Sequence, residues 1–540
     1  MPQMLPVRDV GMRGVITDVS PASLPPNAFT RAKNVRFDEG KVSRAPVFRN
    51  ISDSLGITPR FTYAIPASTS SAYSSIVVVS PTYQIREYAN NAVVSRQGSI
   101  SATSSSPARF TGTALADITY LNRNDRVPVY MANGGSQFAN LPNWDANWRA
   151  ESLRAYGDFL VALNTTESGT GYSSRVRWSN LALANSVPDS WDASDTTKSA
   201  GFNDLIEMKT PIVDGASLGT NFIIYSKDQV WLMDFTGGNF IFNFRKLFSD
   251  VGIINQNCAV EVEGRHFVFG DNDIYMHDTH TKQSLVDERV KQYIFTGLNT
   301  AKTDRCFVQA NPDLEEVYFC YVSGDDMAEY TSGDRCNRAA VYNYKNNTWS
   351  FLDLPNVCSG THGSVSNATT YATAIGSYEN IGGSYYTQEA DFDTHALFVG
   401  ESNSTDGITA NKLYGLDMPD TGSLLSYPFD IEANKSPYVE RSGIDLDEVT
   451  EIRRYKVISK IYPQIETVSS NKQFNFSFGA SDLQASAPTY ETQVTFDAAT
   501  DYKIDSRAAG RYLSYKLIVD GSKNFAFVGF DADITITGRR

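Results

Sequence analysis

Short runs of β-branched and aliphatic residues recur along the chain. Each meets a polar turn and then a second run that carries an aromatic. Ile76-Val77-Val78-Val79 is followed by Ile85-Arg86-Glu87-Tyr88, and Phe222-Ile223-Ile224-Tyr225 by Gln229-Val230-Trp231-Leu232-Met233. His266-Phe267-Val268-Phe269 is followed by Asp273-Ile274-Tyr275-Met276. Glu316-Val317-Tyr318-Phe319 with Ala340-Val341-Tyr342-Asn343, and Ala396-Leu397-Phe398-Val399 with Lys412-Leu413-Tyr414-Gly415, repeat the unit. Such runs on either side of Gly, Asn or Asp turns predict antiparallel hairpins. Their repetition every few tens of residues is the pattern of a β-propeller. Fragments around residues 73–95, 114–141, 155–180, 205–245, 258–280, 305–356 and 395–417 carry it at irregular spacing, so six and seven blades are both open.

The flanks read differently. Pro21, Pro25 and Pro26 keep the opening residues out of regular structure, which predicts an extended arm over 1–50 that packs on the propeller or on a neighbouring subunit. Within it, residues 27–35 predict a short helix with Asn27 as N-cap and Phe29, Ala32 and Val35 facing inward. Val35-Arg36-Phe37, the turn Asp38-Glu39-Gly40 and Lys41-Val42-Ser43 predict a tight hairpin. A helix is also expected where Val286, Val290, Tyr293 and Ile294 share one apolar face. From about residue 430 the pattern alternates, as in Phe474-Asn475-Phe476-Ser477-Phe478 and Asp533-Ile534-Thr535-Ile536-Thr537, which predicts half-buried strands of a sandwich. The expected organisation is all-β: an arm over 1–50, an irregular propeller over 51–429 and a C-terminal β-sandwich over 430–540.

Charge and cysteine content narrow the function classes. The 61 acidic residues outnumber 47 basic ones, for a net charge of -14, which argues against a gripping contact with nucleic acid. No apolar run approaches the roughly 20 residues of a membrane span, and Met1 to Arg13 lacks the apolar stretch of a secretory signal. The expectation is a soluble chain made in a cytoplasm, with no membrane insertion. The cysteines (Cys258, Cys306, Cys320, Cys336, Cys358) are odd in number and lack C-x-x-C spacing, which disfavours zinc. A Cys306–Cys336 or Cys336–Cys358 disulfide is the minor alternative to buried thiols.

Candidate chemistry is sparse. His277-Asp278-Thr279-His280 holds the one close histidine pair, but in a strand-to-turn context the two rings do not share a face, and a turn at a blade tip explains them better than a metal. Asp271/Asp273, Asp325/Asp326 and Asp391/Asp393 lack the glycine-punctuated loop and distal Glu of a calcium site and fit β-turns. Ser404-Thr405-Asp406-Gly407 partly resembles the Asp-box turn of sialidases, one residue short and without its aromatic. Ala339-Ala340-Val341-Tyr342-Asn343-Tyr344 followed by Asn347-Thr348-Trp349 resembles a kelch blade whose Trp packs in the core. There is no G-x-S-x-G, H-E-x-x-H or P-loop. No catalytic, metal-binding or cofactor-binding residue, and no cofactor, is predicted.

Two stretches carry a more specific likeness. Asp18-Val19-Ser20-Pro21-Ala22-Ser23-Leu24-Pro25-Pro26-Asn27-Ala28-Phe29, then Ala32-Lys33-Asn34-Val35-Arg36-Phe37-Asp38-Glu39-Gly40-Lys41-Val42, resembles the opening of the tail nozzle proteins (tail tubular protein B, or tail accessory proteins) of short-tailed bacteriophages. Arg177-Trp178-Ser179 with Pro188 and Trp191, then Phe222 to Met233 and Gly237-Gly238 with Ile241-Phe242, is similar to that family's propeller. Beyond these two, Ile461-Tyr462-Pro463, Asp501-Tyr502-Lys503-Ile504-Asp505 and Gly510-Arg511-Tyr512-Leu513 are more faintly similar to its C-terminal domain. Residues 360–395, rich in Ser, Thr, Tyr and Gly, depart from the family and read as an insertion.

The resemblance implies a non-enzymatic virion protein of the phage tail. It implies a homohexameric tube below the head-to-tail adaptor that conducts phage DNA without specific binding and offers a platform for tail fibres or spikes. An acidic wall suits that passage, because it repels phosphates. Asp271, Asp273, Asp325 and Asp326 are then expected to face the lumen or solvent. The rival readings are a propeller glycan hydrolase or depolymerase and a kelch-like carbohydrate- or protein-binding module. Trp178, Trp231 and Trp349 each follow or interrupt a strand pattern and are expected in blade cores. Replacing any one with Ala should cost about 3–5 kcal/mol, read as a shifted denaturation midpoint; a variant that melts like the parent would place that ring on a ligand surface.

Overall fold

A computed structural model describes the chain except residues 1–2, 53, 67–74, 90–91, 104–108, 133, 239, 326, 329–332, 365–393, 404, 406–407, 409, 417–435, 447–453, 468–471, 485, 520–524 and 538–540. The fold is all-β. The hairpins expected from the hydrophobic pattern form. Ile76 pairs with Tyr88, Ile224 with Trp231, Phe267 with Met276, Phe319 with Ala340 and Phe398 with Tyr414, all antiparallel. Turn chemistry sets several registers. At Glu39-Gly40, Ala116-Asp117, Ser168-Gly169 and Glu263-Gly264 both loop residues have positive φ, and this two-residue connection matches the twist of the strands it joins.

Five four-stranded sheets follow one another along the chain, opening on Phe61–Ile65, Phe110–Leu115, Trp148–Tyr156, Ile212–Leu218 and Ala259–Val262. A seven-stranded sheet then runs from Phe307–Asn311 to Lys412–Leu416 and ends on Phe48–Asn50, from near the N-terminus. Its middle strand, Thr348–Ser364, is 17 residues long. The first half of that strand pairs with Cys336–Asn343 and the second half with Thr394–Gly400, with register breaks close to Cys336 and Val357. The first strands of successive sheets lie side by side, and the Thr348–Ser364 strand touches both Phe307–Asn311 and Phe61–Ile65.

Two more sheets combine both ends of the chain. One has seven strands and joins Gln3–Val7 and the hairpin Val35–Asp38/Lys41–Arg44 to the long pair Tyr455–Thr467 and Phe525–Thr537. The other has six and joins Arg31–Lys33 to Tyr438–Ile444, Gln473–Ser481 and Tyr512–Ile518. Rings from the two sheets meet edge to face. Phe476 lies 6.1 Å from Phe527, Tyr515 4.9 Å from Phe530 and Phe474 6.0 Å from Phe525. The opening 50 residues, expected to run as an extended arm, therefore supply strands to three sheets.

The helix expected over 27–35 does not form. Phe29, Ala32 and Val35 are buried as that reading requires, but Phe29 forms an isolated bridge to Val15 and the other two lie on strands. Asn34 adopts a left-handed φ of 56°, and this kink interrupts the two-residue alternation and places Ala32 and Val35 three apart. The second helix is shorter than its apolar face. It spans Lys291–Gly297, and Val286 and Val290 are buried in the turn that leads into it. Trp178, Trp231 and Trp349 are all buried, and Trp349 Nε1 donates to the Leu285 carbonyl at 2.9 Å. The cysteines are free and buried, so neither Cys306–Cys336 nor Cys336–Cys358 is bonded. Their thiols act as small apolar groups with weak donors: Cys258 Sγ donates to the Cys306 carbonyl at 3.1 Å and Cys336 Sγ to the Arg305 carbonyl at 3.2 Å.

One buried polar knot ties the N-terminal strands to the seven-stranded sheet. Asn34 Nδ2 donates to Asp353 Oδ2 at 2.9 Å, and the Asp353 N–H donates back to Asn34 Oδ1 at 2.9 Å. Fully buried Arg338 donates to Asp353 Oδ1 at 2.7 Å and sits 3.4 Å from Asp325. Replacing Arg338 with Met should leave two carboxylates without their buried cation and cost about 3–5 kcal/mol in urea denaturation; a loss below about 1 kcal/mol would show that the pair is solvated.

Candidate functional site

The first strands of the successive sheets converge on a cavity of about 400 Å³, lined among others by Tyr63, Gly112, Arg154, Asn257, Gln309 and Thr361. These strands are sheet edges, so each presents N–H groups that no strand pairs. Side chains of the adjacent sheet accept them. Leu153 and Ala155 donate to Thr111 Oγ1 (3.1 Å) and Thr113 Oγ1 (3.0 Å). Thr62 and Ala64 donate to Ser359 Oγ (3.2 Å) and Thr361 Oγ1 (2.9 Å), and Asn257 donates to Asp214 Oδ2 (2.9 Å). The acceptors fall in a recurring tripeptide: Thr111-Gly112-Thr113, Asp214-Gly215-Ala216 and Ser359-Gly360-Thr361. The central glycine leaves room for a ring, since a Cβ would lie 2.7 Å from the Tyr63 ring at Gly112 and 2.6 Å from the Phe222 ring at Gly215. This repeat was legible in the sequence as a pattern, yet hydrophobic periodicity alone does not pick it out.

Charge enters the cavity through Arg154 and Asp214. Arg154 donates to both oxygens of Asp214 (2.9 and 2.5 Å), to the Gly112 carbonyl (3.1 Å) and to Asn257 Oδ1 (2.9 Å). Asp214 also accepts from Ser152 Oγ and from the N–H groups of Gly215 and Asn257. Burial alone would raise its carboxyl. The Arg154 guanidinium and the hydrogen bonds from Ser152 and Asn257 more than offset burial and hold it below the usual carboxylate range. With its oxygens so occupied, Asp214 is placed to lock three sheets together and not to take a proton.

Behind the wall, Tyr225 Oη lies 2.7 Å from both His266 Nδ1 and His277 Nε2. His266 Nε2 is 2.7 Å from the Ser217 carbonyl, which can only accept, so Nε2 carries the proton and Nδ1 accepts from the Tyr225 hydroxyl. Tyr225 then accepts from His277 Nε2–H, and this leaves His277 Nδ1 unprotonated and buried without a partner. Burial lowers His266 to about 4; burial, then His266 itself, lowers His277 to about 3. Both rings are neutral.

The residues singled out from the sequence are dispersed. His277 belongs to this network, whereas His280 is exposed in a turn where Asp278 Oδ1 accepts from the N–H groups of His280 (3.0 Å) and Thr281 (2.8 Å). Asp271 is exposed, and half-buried Asp273 accepts from Ser284 Oγ at 2.6 Å. Asp325 departs from expectation: its side chain is only 7% exposed and faces Arg338, because the nearby buried guanidinium needs counter-charge. Asp326, Asp391, Asp393 and most of Ser404–Gly407 lie outside the described residues. Among the described residues, no group of three His, Cys, Asp or Glu is placed to hold a metal ion.

No family model matches the chain, and no curated protein does. Among solved structures it is similar to one titled "Structure of U3-55K", with a TM-score of 0.36 and 8% identity, over 69% of this chain and 98% of that one.

The histidine network generates a pH dependence. An unfolded His titrates near 6.5, and both folded values lie below it, so under acid the unfolded chain binds protons that the native state refuses. The stability contributed by the neutral rings is complete above about pH 6.5 and is lost as pH falls toward 4 and then 3. His277→Gln keeps the Nε donor to Tyr225 but does not titrate. Urea denaturation between pH 6.5 and 4 should show its slope of stability against pH reduced by about one proton relative to the parent; identical slopes would mean that His277 is protonated in the folded state.

Proposed function

We propose that the chain is a seven-bladed propeller fused to a β-sandwich and serves as a structural protomer of the tail nozzle of a short-tailed phage. In this reading the Thr348–Ser364 strand belongs to two blades, as the outer strand of one and the inner strand of the next. Every blade then has four strands, and Phe48–Asn50 supplies the outermost strand of the last, closing the ring with residues from its start. The observation that carries the reading is the order of the segments. An N-terminal stretch resembling the nozzle family first builds into the sandwich, then closes the propeller, and so locks both domains into one body. Such a body suits a load-bearing wall of a tube and a platform for adaptor and fibres.

The central cavity supports the same reading over the hydrolase. A glycosidase needs a free acid and a second carboxylate across a cleft, whereas Asp214 is committed to Arg154 and to the neighbouring sheets. The net charge of -14 suits a conduit from which DNA slides free. Purified protein should bind duplex DNA no more tightly than about micromolar at physiological salt, should release no sugar from capsular or lipopolysaccharide glycan, and should occupy a sixfold ring in electron micrographs of assembled tails. Tight duplex binding would contradict the conduit. Sugar release, or another symmetry at this position, would hand the case to the hydrolase or to a binding module.

A further inference from the structure

The outer edges of the two sheets that open on Trp148–Tyr156 and Ile212–Leu218 carry the largest exposed rings in the propeller region. Their last strands, Gly201–Asp204 and Phe242–Phe248, flank a groove of about 1160 Å³ floored by Trp178, Phe242 and Phe244 and walled by Phe202 and Phe240. Phe240 is 83% exposed at the tip of a hairpin whose Gly237 and Gly238 both have positive φ. Phe235 (60% exposed) lies 5.9 Å from Phe242, and Phe202 is 43% exposed. Ile206, 91% exposed, stands four residues beyond Phe202, and the adjacent Glu207 reaches Lys246 on the other strand at 3.4 Å. Taking about 200 Å² for a large side chain, these four residues expose roughly 500 Å² of apolar surface. That is toward the upper end for the largest patch on a monomer and well over half of the ~800 Å² that each partner contributes to a stable interface.

The charge around the groove decides what can cover it. Arg175 is stacked between the rings of Tyr172 (3.6 Å) and Phe202 (4.1 Å), and its guanidinium is bound by Asp204 and Glu167. Glu167 also binds Arg177, Lys198 pairs with Asp189, and Lys246 with Glu207. Of the remaining nearby charges, Asp192, Asp195 and Asp234 are acidic and Arg245 is basic. The face thus pairs most of its charges internally and keeps a small acidic excess, in a chain of net charge -14. Two copies of so acidic a chain repel each other over most of their surface and can approach where most charges are paired. The same pairing gives a polyanion no purchase, and apolar rings beside Arg are the composition of a protein interface.

We propose that this aromatic face is a contact between two copies of the chain, with Phe202 and Phe240 as its anchors. The proposal rests on the assembly part of the nozzle reading and deepens it by naming the surface. The test is sedimentation equilibrium of the full chain at rising concentration, comparing the parent, Phe202→Ser/Phe240→Asp, and Leu483→Asp as a control at an equally exposed site in the C-terminal region (67% exposed). The parent and the control should self-associate alike. The double variant should associate about tenfold or more weakly, as expected when aromatic anchors are removed. Phe240→Asp alone, which leaves the Phe202–Arg175 stack in place, should melt at the parent temperature and also associate more weakly. Unchanged association in the double variant overturns the proposal while leaving the nozzle reading intact. A parent that stays monomeric at every concentration also overturns it. Micrographs of tails that lack a ring of this chain would instead remove the reading beneath it.

Discussion

The innermost strands of the central sheets have no strand partner on the side that faces the cavity, and their N–H groups must find acceptors elsewhere. They find them on the next sheet, as when Leu153 and Ala155 donate to Thr111 and Thr113, and Thr62 and Ala64 to Ser359 and Thr361. A buried N–H left without a partner costs about 1–3 kcal/mol, so such bonds bias the sheets toward one mutual arrangement that loose hydrophobic contact would not specify. The glycine at the centre of each acceptor tripeptide follows from this. It brings neighbouring strands close enough for a short Ser, Thr or Asp side chain to bridge them, while leaving room for the ring that packs there.

The N-terminal strands depend on the same kind of non-local pairing. Arg31–Lys33 extends a sheet otherwise built from residues beyond 437, Lys41–Arg44 pairs its hairpin with the C-terminal strand Phe525–Thr537, and Phe48–Asn50 extends a sheet of the central region. Between these attachments, Asn34 exchanges two hydrogen bonds with Asp353, whose carboxylate also holds Arg338. A left-handed Asn34 gives the chain the bend that brings its side chain to Asp353. Local strain, a buried ion pair and three sheet edges are coupled at one short segment, so the two halves of the molecule are held together by the residues that come first in the chain.

This construction bears on what the molecule can do. Two polar groups at the central cavity are committed to holding sheets together: Asp214 is bound on both oxygens, and the Tyr225–His266–His277 chain has its protons fixed by a carbonyl at one end. Groups arranged in this way stiffen a wall. At the outer edges, Phe202, Phe235 and Phe240 stand in water beside guanidinium and carboxylate groups that pair with one another.

Much of the local structure was legible in the sequence. The hairpin pairs, the Glu39-Gly40 turn and the burial of Trp178, Trp231 and Trp349 follow from side-chain alternation, turn residues and size, which act over a few residues. The helix expected over 27–35 does not form because left-handed Asn34, between two short strands, and Phe29, bridged to Val15 before them, together mimic the three-residue spacing of a helix face. Asp325 resembles any turn acid until Arg338, thirteen positions on, is brought back beside it by sheet pairing. His266 and His277 carry no signal of their meeting, since Tyr225 arrives from another sheet. Periodicity records which face of a strand is buried, and that much the chain determined alone. Which edge meets which, and so where charges, hydroxyls and imidazoles come together, depends on contacts between residues tens to hundreds of positions apart, and only the tertiary structure decided it.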